Sequence, residues 1–337
     1  MQHDPLSDVL RSVRLRGAIF YYVSYRDDWV AEAPPAREIA DAVMPGVEHL
    51  LEFHLMAKGE GWAATSGESP VRLSAGDIVM FPRGDAHVLS SAPGMRAAKN
   101  SAEWTFTMRD EPKPLTLGYH DGVLVPGALA PVEEARNIVV CGFVGCDLKP
   151  FNPLIATLPR LLHLPADDVG GWVKSVLHQA VIESRERRPG SAAVLDRVSE
   201  MVFVDAARRY LESLPESAEG WLAGLRDRYV GKALSAIHAQ PSRDWTLDDL
   251  GREAGLSRSA LHERFVRFAG QPPMQYLMNW RMQMAANLLR SSHATVASIA
   301  LDVGYDSEAA FARAFKRVTG RPPAAWRREQ VVDRKTA

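Results

Sequence analysis

Residues 246–276, TLDDLGREAGLSRSALHERFVRFAGQPPMQY, and residues 295–326, TVASIALDVGYDSEAAFARAFKRVTGRPPAAW, carry one pattern twice. Thr246-Leu247, Leu250 and Ala254-Gly255 recur as Thr295-Val296, Ile299 and Val303-Gly304. With one residue inserted, Ser257, Leu261, Phe265, Gly270, Pro272-Pro273 and Tyr276 recur as Ser307, Phe311, Phe315, Gly320, Pro322-Pro323 and Trp326. Each copy predicts a short helix, a glycine turn, a serine-capped second helix and a glycine stop followed by proline. That pattern is a helix-turn-helix, whose second helix can lie in the DNA major groove.

Helical periodicity sorts the residues of each second helix. Leu261, Phe265 and Phe268 face inward in the first copy, which turns Ser259, His262, Glu263, Val266 and Arg267 outward. In the second, Phe311 and Phe315 face inward, and Ala309, Ala312, Arg313, Lys316 and Arg317 outward, with Glu308 near the start. Arginine can bond bidentately to guanine, so Arg313 is the prime candidate for a base contact. Glu263 can accept from cytosine and His262 can donate to an acceptor edge, whereas Ala309 offers at most a methyl contact. Arg258, Arg267, Lys316 and Arg317 suit phosphate, which positions without specifying. The plain alternative for each is a solvated surface side chain. Between the copies, Pro272 to Ser291 predicts one helix of about 20 residues, about 30 Å long. Major-groove surfaces on one side of B-DNA recur about every 34 Å, so such a connector suits successive grooves.

Charge supports a divided chain. From Arg228 to Ala337 there are 17 Lys and Arg against 10 Asp and Glu; the rest carries 23 against 31. A basic C-terminal third on an acidic body fits a phosphate-binding module attached to a part that avoids DNA. No apolar run approaches the ~20 residues that span a bilayer, and MQHDPLSDVLRSVRLRG has no apolar signal core, so a cytoplasmic protein is expected. The two cysteines, Cys141 and Cys146, exclude a disulfide framework and a zinc-finger pattern.

Residues 1–165 hold short apolar runs separated by Gly and Pro: HLLEFHLM, GWAAT, VRLSAGDIVMFP, HVLS, PLTLGYHDGVLVPG and NIVVCGFVG. Such spacing predicts an antiparallel β-sandwich or β-barrel. Residues 166–228 switch to helical periodicity. One helix has Trp172, Val176, Leu177, Ala180 and Val181 on a face; a second, after Ser191, carries Val194, Leu195, Val198, Met201, Val202 and Leu211. These stripes must be buried, against the neighbouring domain or in a homodimer, and the second is the expectation here. Residues 229–330 are all helix, and 331–337 are a polar tail.

The stretch from ALSAIHAQPSRDWT through Ser298 to Arg327 resembles the DNA-binding domain of AraC/XylS-type transcription regulators over about 100 residues. The resemblance implies seven helices, with base contacts from Ser259, His262 and Glu263 in the first recognition helix and Glu308, Ala309 and Arg313 in the second. It implies double-stranded DNA and RNA polymerase as partners. Gly76-Asp77-Ile78-Val79-Met80-Phe81-Pro82-Arg83-Gly84-Asp85-Ala86-His87 resembles the second motif of cupins, small β-barrels with an interior site. In metal-bearing cupins the histidine at the place of His87 is a ligand, beside an H-x-H and a glutamate. Here HLLEFHLMAKGEGW offers His49, His54 and Glu60 but no H-x-H, so neither a metal nor another cofactor is expected.

The expected fold is therefore multidomain α+β: an N-terminal antiparallel cupin-like barrel, a helical connector and an all-α double helix-turn-helix. His54, His87 and Arg83 are the candidate pocket for an unknown small-molecule effector, with Lys149 a second cation for an anionic one. Cys141 or Cys146 would sense an oxidant if a thiolate were favoured and accessible; buried thiols in an apolar strand are the alternative. The expected function is a DNA-binding transcription regulator without enzymatic activity. Its rival is a metal-dependent cupin enzyme with an appended helical interaction domain.

Overall fold

The computed structural model describes residues 3–97, 114–120, 123–167, 171–186 and 188–328. The Trp172 side chain and the tail 331–337 lie outside the described residues. Helices are α1 (Pro5–Ser12), α2 (Ala36–Val43), α3 (Gly171–Glu186), α4 (Ser191–Ser213), α5 (Trp221–Arg226), α6 (Val230–Ala239), α7 (Leu247–Ala254), α8 (Arg258–Ala269), α9 (Pro273–Ser291), α10 (Val296–Asp302) and α11 (Glu308–Thr319). Strands are β1 (Arg16–Tyr25), β2 (Val30–Ala33), β3 (His49–Lys58), β4 (Glu60–Thr65), β5 (Val71–Ser74), β6 (Ile78–Phe81), β7 (His87–Ser90), β8 (Leu115–His120), β9 (Val123–Pro126), β10 (Asn137–Cys146) and β11 (Leu162–Leu164).

The chain divides into two compact units that interleave its segments. One comprises Leu15–Cys146 and Leu158–Tyr210; the other comprises the residues through Arg14, Asp147–Thr157 and those from Leu211 onward.

The strand-bearing unit holds a seven-stranded sheet, β11-β6-β3-β10-β1-β8-β9, and a four-stranded sheet, β2-β7-β4-β5. Trp29, Met56, Ala63, Val79, Phe81, Leu89, Leu117 and Val139 form its main apolar cluster. Each of the larger of these side chains contributes about 1.5–3 kcal/mol by leaving water. Tyr25 stacks on Trp29 with ring centroids 4.2 Å apart. One detail corrects the expected all-antiparallel pairing. The β1–β8 pair is parallel, with Tyr21 opposite Leu115, so the larger sheet is mixed. The reason is topological: a parallel return needs a long crossover, and the chain from β2 to β7 supplies it. The strands also fall into two sheets, and neither closes on itself among the described residues.

The second connector helix, α4, buries Leu195, Val198, Val202, Phe203 and Ala206. It crosses β1 at Gly17, whose backbone N–H donates to Glu200 Oε1 at 3.4 Å. Leu195, Val198 and Val202, half of the predicted stripe, are thus buried, while Leu211 is half-buried and Val194 and Met201 stay exposed.

In the helical unit the caps form as the sequence dictates. Thr246 and Asp249 make a reciprocal capping box at the start of α7. Ser257, Thr295 and Ser307 each accept a backbone N–H from three residues on, opening α8, α10 and α11. The two turns require glycine: Gly255 has φ +77° and Gly304 φ +84°, where a side chain would be strained. Leu250, Ala254, Leu261, Phe265 and Tyr276 are buried in the first half. Met282, Leu289, Ile299, Val303, Phe311, Phe315 and Trp326 form the core of the second. Helices α6 to α11, with helical residues 323–328, make up the seven that the resemblance implies.

Helix α1 and residues 147–157 belong to this helical unit. Gln283 Nε2 and Asn287 Nδ2, both on α9, donate to the Ser12 carbonyl at 2.8 and 3.1 Å. Gln283 Oε1 accepts the Phe151 N–H at 3.0 Å. Asp147 is held by Arg14 and by Arg290 of α9, each at 2.7 Å.

Candidate nucleic-acid interface and a buried Glu-His-His cluster

The cores of the two helix-turn-helices decide which side chains face out. With Leu261 and Phe265 buried under α8, Arg258, Ser259, His262, Glu263 and Arg267 are all exposed. With Phe311, Ala314 and Phe315 buried under α11, Glu308, Ala309, Arg313, Lys316 and Arg317 are exposed. Two of the phosphate candidates have neighbours: Arg267 lies 3.7 Å from Glu219, and Arg317 Nη2 approaches Met278 Sδ at 3.1 Å. Arg264, three residues before Arg267, faces the other way and clamps Asp227.

The connector α9 has 19 residues, about 28 Å at 1.5 Å per residue. Its Arg281 fixes the two halves to each other. The guanidinium donates to the carbonyls of Pro241 (2.7 Å) and Arg243 (2.8 Å) ahead of α7, and of Gly304 (3.1 Å) in the second turn. Sequence reading missed this brace, because an arginine bonded to backbone carbonyls leaves no complementary charge to notice.

The strand-bearing unit presents a second site. Glu52 and His54 stand two apart on β3 and so share a face; they lie opposite Phe81 and Val79 of β6. His87 comes from β7 of the other sheet. His54 Nε2 and His87 Nε2 are 2.8 Å apart, and Glu52 Oε2 is 3.7 Å from His87 Nε2. The three side chains are only 3–6% exposed. His87 Nδ1 donates to the Asp85 carbonyl at 2.9 Å, which leaves Nε2 as a lone pair aimed at the cluster. The Phe81 ring stacks on His87 at 3.7 Å and holds its plane. Glu52 Oε1 and His54 Nδ1 are buried without a hydrogen-bond partner.

Burial governs the protonation of all three. It pushes the Glu52 carboxyl up to about 8 and lowers His87 to about 4, against the Asp85 carbonyl and charge that act to raise it. Burial, then the charge of His87, holds His54 well below the usual imidazole range. Around neutral pH both imidazoles are neutral, the form that ligates a metal.

The other candidates lie apart. Arg83 is exposed and donates to the Leu158 carbonyl at 2.8 Å. His49 Nε2 contacts the Pro82 carbonyl at 2.7 Å, and Glu60 pairs with Arg72. Cys141 and Cys146 both lie on β10. Five residues of strand separate them by about 17 Å, too far to join. Burial, and secondarily the charge of Glu52, push the Cys141 thiol well up. Glu52 is the residue missed in the sequence. Its signal is Glu-x-His in HLLEFHLM, a pattern that the His-x-His motif does not cover.

A family profile described as a cupin matches residues 4–212, and one described as a helix-turn-helix domain matches residues 250–329. A putative AraC-like transcription regulator of Streptomyces lividans is 31% identical over 98% of this chain and 99% of its own length. The chain belongs to the AraC-like transcription regulators. Its N-terminal part, over the matched residues, belongs to the cupins. The regulator is also 25% identical to the HTH-type transcriptional regulator AlkR of Acinetobacter baylyi, over 97% of this chain and 99% of that one. A solved DNA-binding domain of AdpA, in complex with a target DNA, aligns at 25% identity with 33% of this chain and 100% of its own, at a TM-score of 0.32. No described helix of the regulator is long and apolar enough to cross a membrane.

Proposed function

We propose that the regulator lays α8 and α11 in successive major grooves on one side of a double-stranded operator, under the control of a signal received by the cupin unit. The observation that carries this reading is the connector: a continuous helix of about 28 Å, braced by Arg281 to the segment ahead of α7 and to the second turn, between two helices with outward polar faces. Ser259, His262, Glu263, Glu308, Ala309 and Arg313 face the bases, and Arg258, Arg267, Lys316 and Arg317 the phosphates. Arg313 contributes the largest share of base specificity, because only its side chain reaches a guanine with two donors.

Sensing rather than turnover suits the cupin unit, since a substrate has no open position at a cluster with all three side chains almost wholly buried. The same burial disfavours Cys141 as an oxidant sensor, because a thiol held protonated is a poor nucleophile. Val194 and Met201, seven apart on α4, offer an exposed apolar patch for a second copy of the chain. Contact with RNA polymerase completes the reading.

The test is footprinting of the full chain on fragments selected from genomic DNA. Protection of two major-groove segments about one helical turn apart, on one side of the duplex, is expected. Protection confined to a single groove segment refutes the paired-groove arrangement.

A further inference from the structure

We propose that Glu52, His54 and His87 form a site for one divalent transition-metal ion of the zinc class, which ties the seven-stranded sheet to the four-stranded sheet. The donor atoms lie within 4.8 Å of one another. Two donors on one tetrahedral zinc at about 2.0–2.1 Å stand about 3.3 Å apart. The 2.8 Å His54–His87 and 3.7 Å Glu52–His87 separations bracket that value. Small side-chain shifts would bring all three to a common centre.

Three further observations point to an ion. First, His87 is already oriented as a ligand: its Nδ1–H donates to the Asp85 carbonyl, the outer contact that metal-bound imidazoles commonly make. Second, Glu52 Oε1 is buried without a partner, and a carboxylate in an apolar interior needs a compensating cation or a proton. Coordination through both carboxylate oxygens would supply four donors with the two imidazoles. Third, a shared proton between the imidazoles accounts for the 2.8 Å contact alone; it leaves Glu52 Oε1 unsatisfied. Two imidazole nitrogens with one carboxylate select zinc, iron(II) or manganese over calcium or magnesium, which prefer all-oxygen shells.

The site draws its ligands from both sheets, so binding stabilises the folded unit through linkage. This inference stands without the operator-binding reading, and its test contains no DNA. The full chain is stripped with a chelator, mixed with two equivalents of zinc, desalted and assayed for metal. About one ion per chain and a thermal midpoint raised by several degrees are expected. Cobalt(II) in place of zinc should give a visible ligand-field spectrum of nitrogen and oxygen donors, without a thiolate charge-transfer band. His54→Gln and His87→Gln should each lower zinc affinity at least tenfold, and Glu52→Gln should lower it also. Should a variant fail to fold, the wild-type midpoint with and without zinc decides. Less than a tenth of an ion per chain, an unchanged midpoint, or equal retention by a folded His54→Gln/His87→Gln double variant overturns the proposal in favour of a proton-bridged imidazole pair.

Discussion

Arg313→Ala separates reading from gripping. Arg313 is exposed on α11, and no hydrogen bond or ion pair is formed by it among the described residues. Its neighbours Phe311, Ala314 and Phe315 hold the helix in place by burial. Truncation should therefore change folding stability by no more than about 0.5 kcal/mol. A bidentate arginine–guanine contact is worth about 1–3 kcal/mol of discrimination, so the operator complex should weaken roughly 5- to 150-fold at fixed salt. A scrambled duplex should weaken only by the share of one lost cation. Arg317→Ala supplies the comparison: with a phosphate role it lowers affinity alike on both duplexes and reduces the salt slope by about one. Fluorescence anisotropy on both duplexes, from about 50 to 200 mM salt, measures all of these quantities. Equal losses on operator and scrambled DNA for Arg313→Ala would remove that residue from base recognition.

Two other perturbations follow from the geometry. Arg281→Met keeps most of the side-chain volume but removes the donors to Pro241, Arg243 and Gly304. It should cost about 1–3 kcal/mol of stability, and operator affinity should fall more than single-site affinity; equal losses on full and half operators would deny the brace an orienting role. The third concerns pH in chelated protein. Glu52 is raised from 4.5 to about 8, so the stability conferred by its neutral form is lost as pH rises through that window. His54 and His87 are lowered from 6.5, the latter to about 4, so their contribution is lost as pH falls below 6.5. Urea midpoints should peak around pH 6.5 and decline toward pH 8, and Glu52→Gln should flatten the alkaline limb; an unchanged limb contradicts the assignment.

The helical half was legible because its determinants are local. Thr246, Ser257, Thr295 and Ser307 cap helices within three residues of themselves, and Gly255 and Gly304 encode turns in place. The strands from β3 to β10 also overlap the apolar runs of the sequence, β3, β4 and β10 reaching one or two residues beyond them. Pairing was another matter. The parallel return of β8 onto β1 joins residues about ninety apart, and no local signal specifies it. RGAIFYYVSY, which forms β1, has a continuous apolar stretch without the alternation that marks a strand. Glu52 escaped notice for a related reason: its meaning depends on His87, thirty-five residues away on the opposite sheet.

The ionic clasp on α9 has a practical corollary for dissection of the regulator. Arg290 and Asp147 have side chains only 5–6% exposed, and Asp147 lies far upstream of the helix-turn-helix repeat. Excision at Tyr229 amputates Asp147 together with α1 and strips the carboxylate from a sequestered guanidinium. Breaking a buried pair in this way costs about 3–5 kcal/mol. Affinities measured on such a truncate would describe a loosened spindle rather than the one the intact chain carries; a faithful miniature would have to restore the two distant strips of polypeptide.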